Sequence, residues 1–258
     1  MKVTVCELPN EADALLAAWE KLAAHVVAEQ SELVLLPEMP FYRWLAHTNH
    51  TNAQEWANAV AAHKEWISHL NDLAPALIIS TRPEIIQNKQ QNVGYIWQKE
   101  SGVQDAHTKY YLPNEPAFWE ATWYERGDGT FAVTKTKKGN IGFLICTELW
   151  FTQHARKYSK AGIHFLVCPR ATPNPTAPKW VAGGQTAAVI SGAFCLSSNL
   201  SGTTQAGSDF AGVGWIIDPE EGEVLGLTSA ERPFLTLDLD LERANHAKQT
   251  YPRYVLDD

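Results

Sequence analysis

The sequence predicts an α/β fold in which helices cover the outer faces of packed sheets. Helical apolar periods alternate with short, wholly apolar runs in the first and third quarters, and the middle and end are strand-rich. No linker, internal repeat or low-complexity stretch interrupts the 258 residues, so residues 1–258 are expected to form a single domain.

Taken in order, Lys2 to Leu8 alternates as a strand. Glu11 to Gln30 places Leu15, Leu16, Trp19, Leu22, Ala23 and Val26 on a helical period. Leu33 to Leu36 is a buried strand that delivers Glu38 through Pro37. A polar, aromatic loop follows with Phe41, Tyr42 and Trp44. Asn52 to Leu73 reads as a second helix, and Ala76 to Ser80 and Gln91 to Gln98 as further strands. Lys109 to Pro113 opens an irregular segment that runs to Gly129 and is dense in Trp and Glu. Phe131 to Thr134 and Ile141 to Ile145 look like paired strands, and a helix is expected after Thr147. Ile163 to Cys168 is a buried strand, Lys179 to Ser191 a helix, and Ala193 to Ser198 a strand. Val213 to Ile217, Val224 to Leu227 and Phe234 to Leu239 are short strands separated by Asp-Pro and Gly turns. A final helix, Leu241 to Lys248, leads into a tail.

Composition narrows the function. Apolar residues make up 45% and charged residues 19%, an ordinary globular balance. A formal charge of −8 argues against a nucleic-acid or anionic-membrane surface. No apolar run approaches the roughly 20 residues that span a bilayer. With no basic and apolar leader before Lys2, a cytoplasmic protein is expected. Cys6, Cys146, Cys168 and Cys195 form no C-x-x-C pair and read as free thiols. His47 and His50 lack a third ligand, so neither a metal nor another cofactor is expected.

Three polar residues stand at strand ends or loop entries. Glu38 closes Leu-Leu-Pro-Glu, Lys109 opens Lys-Tyr-Tyr-Leu-Pro, and Cys146 closes Phe-Leu-Ile-Cys. Ligands bind at the carboxyl ends of strands in α/β sheets. A thiol at a strand-to-helix corner is placed to act as a nucleophile, with backbone N–H groups aimed at what it attacks. No His partner is evident, so a nearby desolvated carboxylate must take the thiol proton. Taken one at a time, these residues have plainer readings: a buried small hydrophobe, a loop carboxylate and a surface cation.

Together the segments resemble the nitrilase superfamily of carbon–nitrogen hydrolases over essentially the whole chain. The resemblance rests on Pro37-Glu38, on Lys109 with Leu112-Pro113 and Glu120, and on Cys146-Thr147-Glu148. Gly214-Trp215-Ile216-Ile217-Asp218-Pro219 followed by Gly222 completes it. It implies a four-layer αββα sandwich and a homodimer or higher homo-oligomer. It also implies a thiol hydrolase with Cys146 as nucleophile, Glu38 as base, and Lys109 with the Thr147 amide as oxyanion donors. Glu120 would be the family's second glutamate, with Glu115 and Glu125 as neighbouring alternatives.

Cys-Thr-Glu-Leu-Trp lies nearer to glutamine-hydrolysing and amidase motifs than to nitrilases. A small amide is therefore the expected substrate, with N-carbamoyl compounds or nitriles as alternatives and an inactive interaction protein as the reading from another class. Thr147, Glu148, Trp150, Arg170, Tyr42 and Trp119 are expected to bind substrate, in an aromatic-lined pocket shared with Phe41, Trp123 and Phe151. Two of these have a second reading. Glu148 would serve as a helix-start acid. Arg170 would pair with Glu148 rather than with a substrate carboxylate.

Overall fold

The computed structural model describes residues 1–203, 207 and 209–256. In chain order the elements are β1 (Lys2–Leu8), α1 (Ala12–Glu29), β2 (Leu33–Leu35), α2 (Ala53–Trp66), β3 (Leu77–Ile86), β4 (Lys89–Gln98) and β5 (Gly102–Thr108). Then come α3 (Glu120–Trp123), β6 (Thr134–Thr136), β7 (Gly139–Phe143), α4 (Thr152–Lys160), β8 (Phe165–Arg170) and α5 (Ala177–Ser191). The chain closes with β9 (Phe194–Thr203), β10 (Asp209–Ala211), β11 (Trp215–Ile217), β12 (Val224–Leu227), β13 (Phe234–Asp238) and α6 (Leu241–Ala247).

One sheet runs β13-β1-β2-β3-β4-β5, parallel from β1 to β3 and antiparallel at both ends. The other runs β12-β11-β9-β8-β7-β6, with β10 extending β9. They meet where Glu7 and Leu8 pair with Asn199 and Leu200.

Alternation along each strand builds the layers. In the first sheet Val3, Val5, Leu33, Leu35, Leu77, Ile79 and Ile96 join the core between the sheets. Their neighbours Cys6, Leu8, Val34, Leu36, Ile78, Tyr95 and Trp97 pack against Leu15, Trp19, Leu22 and Val26 of α1. Two glycines mark the close approaches. A Cβ on Gly94 would lie 2.9 Å from the Phe143 ring across the sandwich. One on Gly142 would lie 2.9 Å from Tyr158 of α4, on the outer side. The result is the expected αββα sandwich.

Several boundaries differ from expectation. The second helix ends at Trp66 and continues as a 3-10 turn, Ile67–Leu73. β3 runs on to Ile86 through Pro83, paired with β4 across a tight turn in which Gln87 and Asn88 both have positive φ. β5 and β10 were not expected. β6 begins at Thr134, where the expected strand Phe131 to Thr134 ends. The segment after Thr147 first forms a 3-10 turn, Cys146–Trp150, and only then α4.

Candidate active site

Glu38, Lys109 and Cys146 leave β2, β5 and β7 near the carboxyl ends of these strands. Leu36 N–H still pairs with Ile79 O at 2.8 Å, and Pro37, without an N–H, ends that ladder. Ser80 Oγ donates to Pro37 O at 3.1 Å, and Met39 N–H donates to Thr81 Oγ1 at 2.9 Å. Glu38 is thus held from both sides. Lys109 directly follows β5, its N–H donating to Asn92 O at 2.9 Å. Glu120 opens α3.

The three charged side chains are fully buried. Lys109 Nζ donates to Glu38 Oε1 at 2.7 Å and to Glu120 Oε2 at 2.6 Å. Asn92 Nδ2 also donates to Glu38 Oε1, at 2.8 Å. Glu38 Oε2 and Glu120 Oε1 are buried and accept no hydrogen bond from the described residues. An ammonium has three donors, and two are spent here, so one remains for a ligand. Burial works against the Lys109 charge, but Glu120 and Glu38 outweigh it and hold its pKa well above the ordinary lysine value. Burial pushes Glu120 up to about 8, against the pull of Lys109 and with the repulsion of Glu38.

Cys146 sits at the corner with φ 49°, a left-handed conformation rare for a side chain other than glycine. Such geometry costs on the order of 1–3 kcal/mol and persists only where surrounding bonds over-determine it. Glu148 supplies those bonds. Its Oε2 accepts from Ile145 N–H and from His107 Nε2, both at 2.8 Å, and its Oε1 accepts from Tyr110 N–H at 2.8 Å. One buried carboxylate therefore ties the corner of Cys146 to the segment that carries Lys109. The thiol itself is raised by burial first and by Glu38 second, while Lys109 opposes both. At rest the sulfur is protonated, and it becomes a nucleophile only as a base removes that proton.

A cavity of about 250 Å³ opens over Cys146 and Glu120. Thr147, Trp150, Phe118, Ala171, Thr172 and Trp180 form its walls, with Glu115 and Lys179 among its lining. Of the expected substrate contacts, Thr147 and Trp150 line it. The other four do not.

Glu148 is consumed by the three bonds above; it acts as the helix-start acid that reaches back to the residue before the turn. Tyr42 donates its hydroxyl to Glu55 Oε2 at 2.9 Å. Trp119 packs against the cluster of Met39, Trp44, Leu45 and Trp56, as does its neighbour Phe118, which in addition lines the cavity. Arg170 is fully buried behind the wall and does not pair with Glu148. It donates to Ser197 Oγ at 2.7 Å, Thr172 Oγ1 at 2.6 Å and Val213 O at 2.6 Å. Phe41 stacks on Trp66, Trp123 Nε1 donates to Thr48 O, and Phe151 stacks on Tyr111, all outside the cavity lining.

Sequence reading missed Asn92, His107, Phe118, Lys179 and Trp180. His107 lies two residues before Lys109, and that proximity was the available signal. For Lys179 there was none beyond its place near a helix start.

Residues 2–249 match the family described as carbon-nitrogen hydrolase. Nitrilase homolog 2 of Dictyostelium discoideum is 29% identical over 191 residues, covering 69% of this chain and 56% of that protein. The 2-oxoglutaramate amidase of Bacillus subtilis is 23% identical over 236 residues, covering 90% and 86% respectively. The chain spans between about half and two thirds of the length of the curated relatives it matches first. A solved carbon–nitrogen hydrolase from Helicobacter pylori G27 superposes with a TM-score of 0.87 at 18% identity, covering 98% of this chain and 94% of that one. Among the described residues no helix is long and apolar enough to cross a membrane. The family match over nearly the whole chain and the shared sandwich agree: this protein belongs to the carbon–nitrogen hydrolase family.

Proposed function

We propose that the protein hydrolyses a small primary amide to its acid and ammonia through a thioester on Cys146. The observation that carries this reading is the buried Glu38–Lys109–Glu120 cluster, whose Glu120 lines the same cavity as the Cys146 thiol. Glu38 takes the thiol proton on Oε2, and the thiolate attacks the amide carbon. The carbonyl oxygen becomes an oxyanion, met by the third donor of Lys109 and by the N–H of Thr147. N–H groups of a first helical turn lack intrahelical acceptors, so that amide is suited to the task. The intermediate collapses as Glu38 returns the proton to nitrogen, which leaves as ammonia. Glu38 then deprotonates water, which attacks the thioester; the acid leaves, and the sulfur recovers its proton. Glu120 holds Lys109 in place through both halves.

Among the described residues lining the cavity, Lys179 is the cation. It sits 5.4 Å over the Trp150 ring, and it takes the carboxylate-binding role that Arg170 was expected to fill. A substrate with its amide at one end and a carboxylate at the other suits this arrangement, and similarity to a 2-oxoglutaramate amidase supports it. The reading takes residues 1–258 as one catalytic domain working in the cytoplasm as a homo-oligomer.

Ammonia release across panels of primary amides, N-carbamoyl compounds and nitriles tests the proposal. Primary amides are expected to yield one ammonia per turnover, and Cys146→Ser to remove the activity. Ammonia from carbamoyl compounds or nitriles alone would replace the substrate class. Unchanged activity in Cys146→Ser would remove the mechanism.

A further inference from the structure

Behind the wall of the cavity lies a second buried cation that the mechanism above does not use. Arg170 is fully buried, and among the described residues its guanidinium donates to neutral oxygens and to no carboxylate. Its guanidinium is held by three neutral oxygens, on Ser197, Thr172 and Val213, and its carbon lies 4.0 Å from the centre of the Trp215 ring. Leaving a buried charge without a counter-charge is costly, and such groups are rare unless paired.

Its surroundings connect it to the chemistry. Arg170 O accepts from Glu38 N–H at 3.3 Å. The next residue, Ala171, lines the cavity with Cys146, and its N–H favours the Cys146 thiolate. Thr172, which lines the cavity, is clamped by Arg170 on its hydroxyl and by Asn199, whose Oδ1 accepts Thr172 N–H at 2.9 Å. One short segment thus touches the base, the nucleophile and the substrate space, and the guanidinium pins it from behind.

We infer that Arg170 is a positioning residue for the nucleophile. Its fork fixes the 170–172 segment against Glu38 and Cys146, and its uncompensated charge favours the thiolate formed when Glu38 takes the proton. This rests on the reading of Cys146 as the nucleophile.

The groups acting on the sulfur are Glu38, Lys109 and Glu120, with Cys168 and Arg170 on β8 and the Tyr124 hydroxyl beyond α3. Val213 links Arg170 to the buried Glu7, whose Oε1 accepts Val213 N–H at 2.8 Å. Burial lowers Arg170 to about 10, opposed by the sulfurs of Cys168 and Cys146 before Glu38, so it stays charged at neutral pH.

The experiment compares the parent with Arg170→Met, Arg170→Lys and Thr172→Val. Alkylation of Cys146 by iodoacetamide is followed by intact mass from about pH 6 to about pH 10, and kcat and KM are measured on a primary amide. Arg170→Met is expected to move the alkylation profile to higher pH and to lower kcat by about 10²-fold with little change in KM. Arg170→Lys should keep the profile, since it keeps the charge, and recover part of kcat. Thr172→Val should keep the profile and still lower kcat, because only the clamp is loosened.

A parent-like profile and kcat in Arg170→Met overturn the inference. So does a fall in kcat with an unshifted profile, which marks a merely structural role. If Arg170→Met does not fold, Thr172→Val decides: parent-like kcat there overturns the positioning role. A parent in which Cys146 reacts no faster than Cys6, Cys168 and Cys195 is instead the failure of the thiol-hydrolase reading, and Arg170 loses its role with it.

Discussion

Two buried cations act on Cys146 from different sides, and the protein treats them in opposite ways. Lys109 has a carboxylate at 2.7 Å and another at 2.6 Å. Arg170 has only hydroxyl and carbonyl oxygens, on Ser197, Thr172 and Val213. The pairing follows from what each cation can do. Lysine is a compact point charge with three rotatable donors, and two acids both keep it charged and leave one donor for the reacting oxygen. Arginine keeps its charge unaided and has a rigid planar fork, so neutral oxygens are enough to orient it. An acid on Arg170 would cancel the field that favours a thiolate. The site therefore holds one cation inside the proton-handling cluster and one outside it.

That contrast can be broken most severely at Lys109. Lys109→Met removes an oxyanion donor and leaves Glu38 and Glu120 buried without a counter-charge. It is expected to lower kcat/KM by about 10²–10³-fold. It should also cost about 3–5 kcal/mol in urea unfolding, as breaking a buried pair does.

Arg170→Met should cost less stability. No acid is orphaned, and the loss is that of neutral oxygens on Ser197, Thr172 and Val213 left without their donor, about 1–3 kcal/mol. Urea midpoints of the two variants, measured side by side, should therefore place Arg170→Met nearer the parent. Equal losses would show that Arg170 is a structural cation like any other.

The third test uses pH. Glu120 is raised from 4.5 to about 8 in the folded state. Between those values the folded protein binds more protons at this site than the unfolded chain. The contribution to stability is thus fully present below about 4.5 and lost as pH rises through about 8. Glu120→Gln should flatten the decline, seen as unfolding free energies of parent and variant that converge or cross as pH is raised. Parallel curves would mean that Glu120 does not titrate differently on folding.

The smallest effect is expected at the exposed Lys179. Lys179→Ala should raise KM for carboxylate-bearing amides by at most about fivefold, as for an exposed ion pair, and leave uncharged amides unaffected. An equal change for both would show that Lys179 does not read substrate charge.

How much of this was legible beforehand divides along physical lines. Glu38 and Cys146 stood out because apolar runs ended on them, and a polar residue at the end of a buried strand is unusual enough to notice. The layers were legible because short, wholly apolar runs such as Leu33 to Leu36 mark strands covered on both faces. β5 was not, because Gln104 and Asp105 are exposed and the strand lies on a sheet edge, where no apolar face marks it. The β3–β4 hairpin was hidden by Pro83 and by a Gln87-Asn88 turn that lacks the usual glycine.

Side-chain direction was the other blind spot. Phe118 and Trp119 are adjacent, aromatic and packed against the same buried cluster, yet Phe118 also lines the cavity and Trp119 does not. Arg170 and Glu148 each looked free to meet the other. Each was already fully engaged with backbone or hydroxyl partners far away in sequence, such as Val213 and Tyr110.

The sequence by itself determined the sandwich and the residue types of the reaction centre, because local period and the demands of the chemistry are both written along the chain. Only the tertiary structure decided which oxygen of Glu38 Lys109 and Asn92 occupy, which aromatic faces the substrate, and that Glu148 clamps rather than binds. Those outcomes depend on hydrogen bonds between segments 38 to 54 or more residues apart, such as Asn92 with Glu38 and Tyr110 with Glu148. A buried polar group must find such a partner wherever the fold places one. That partner cannot be read from its neighbours in the chain.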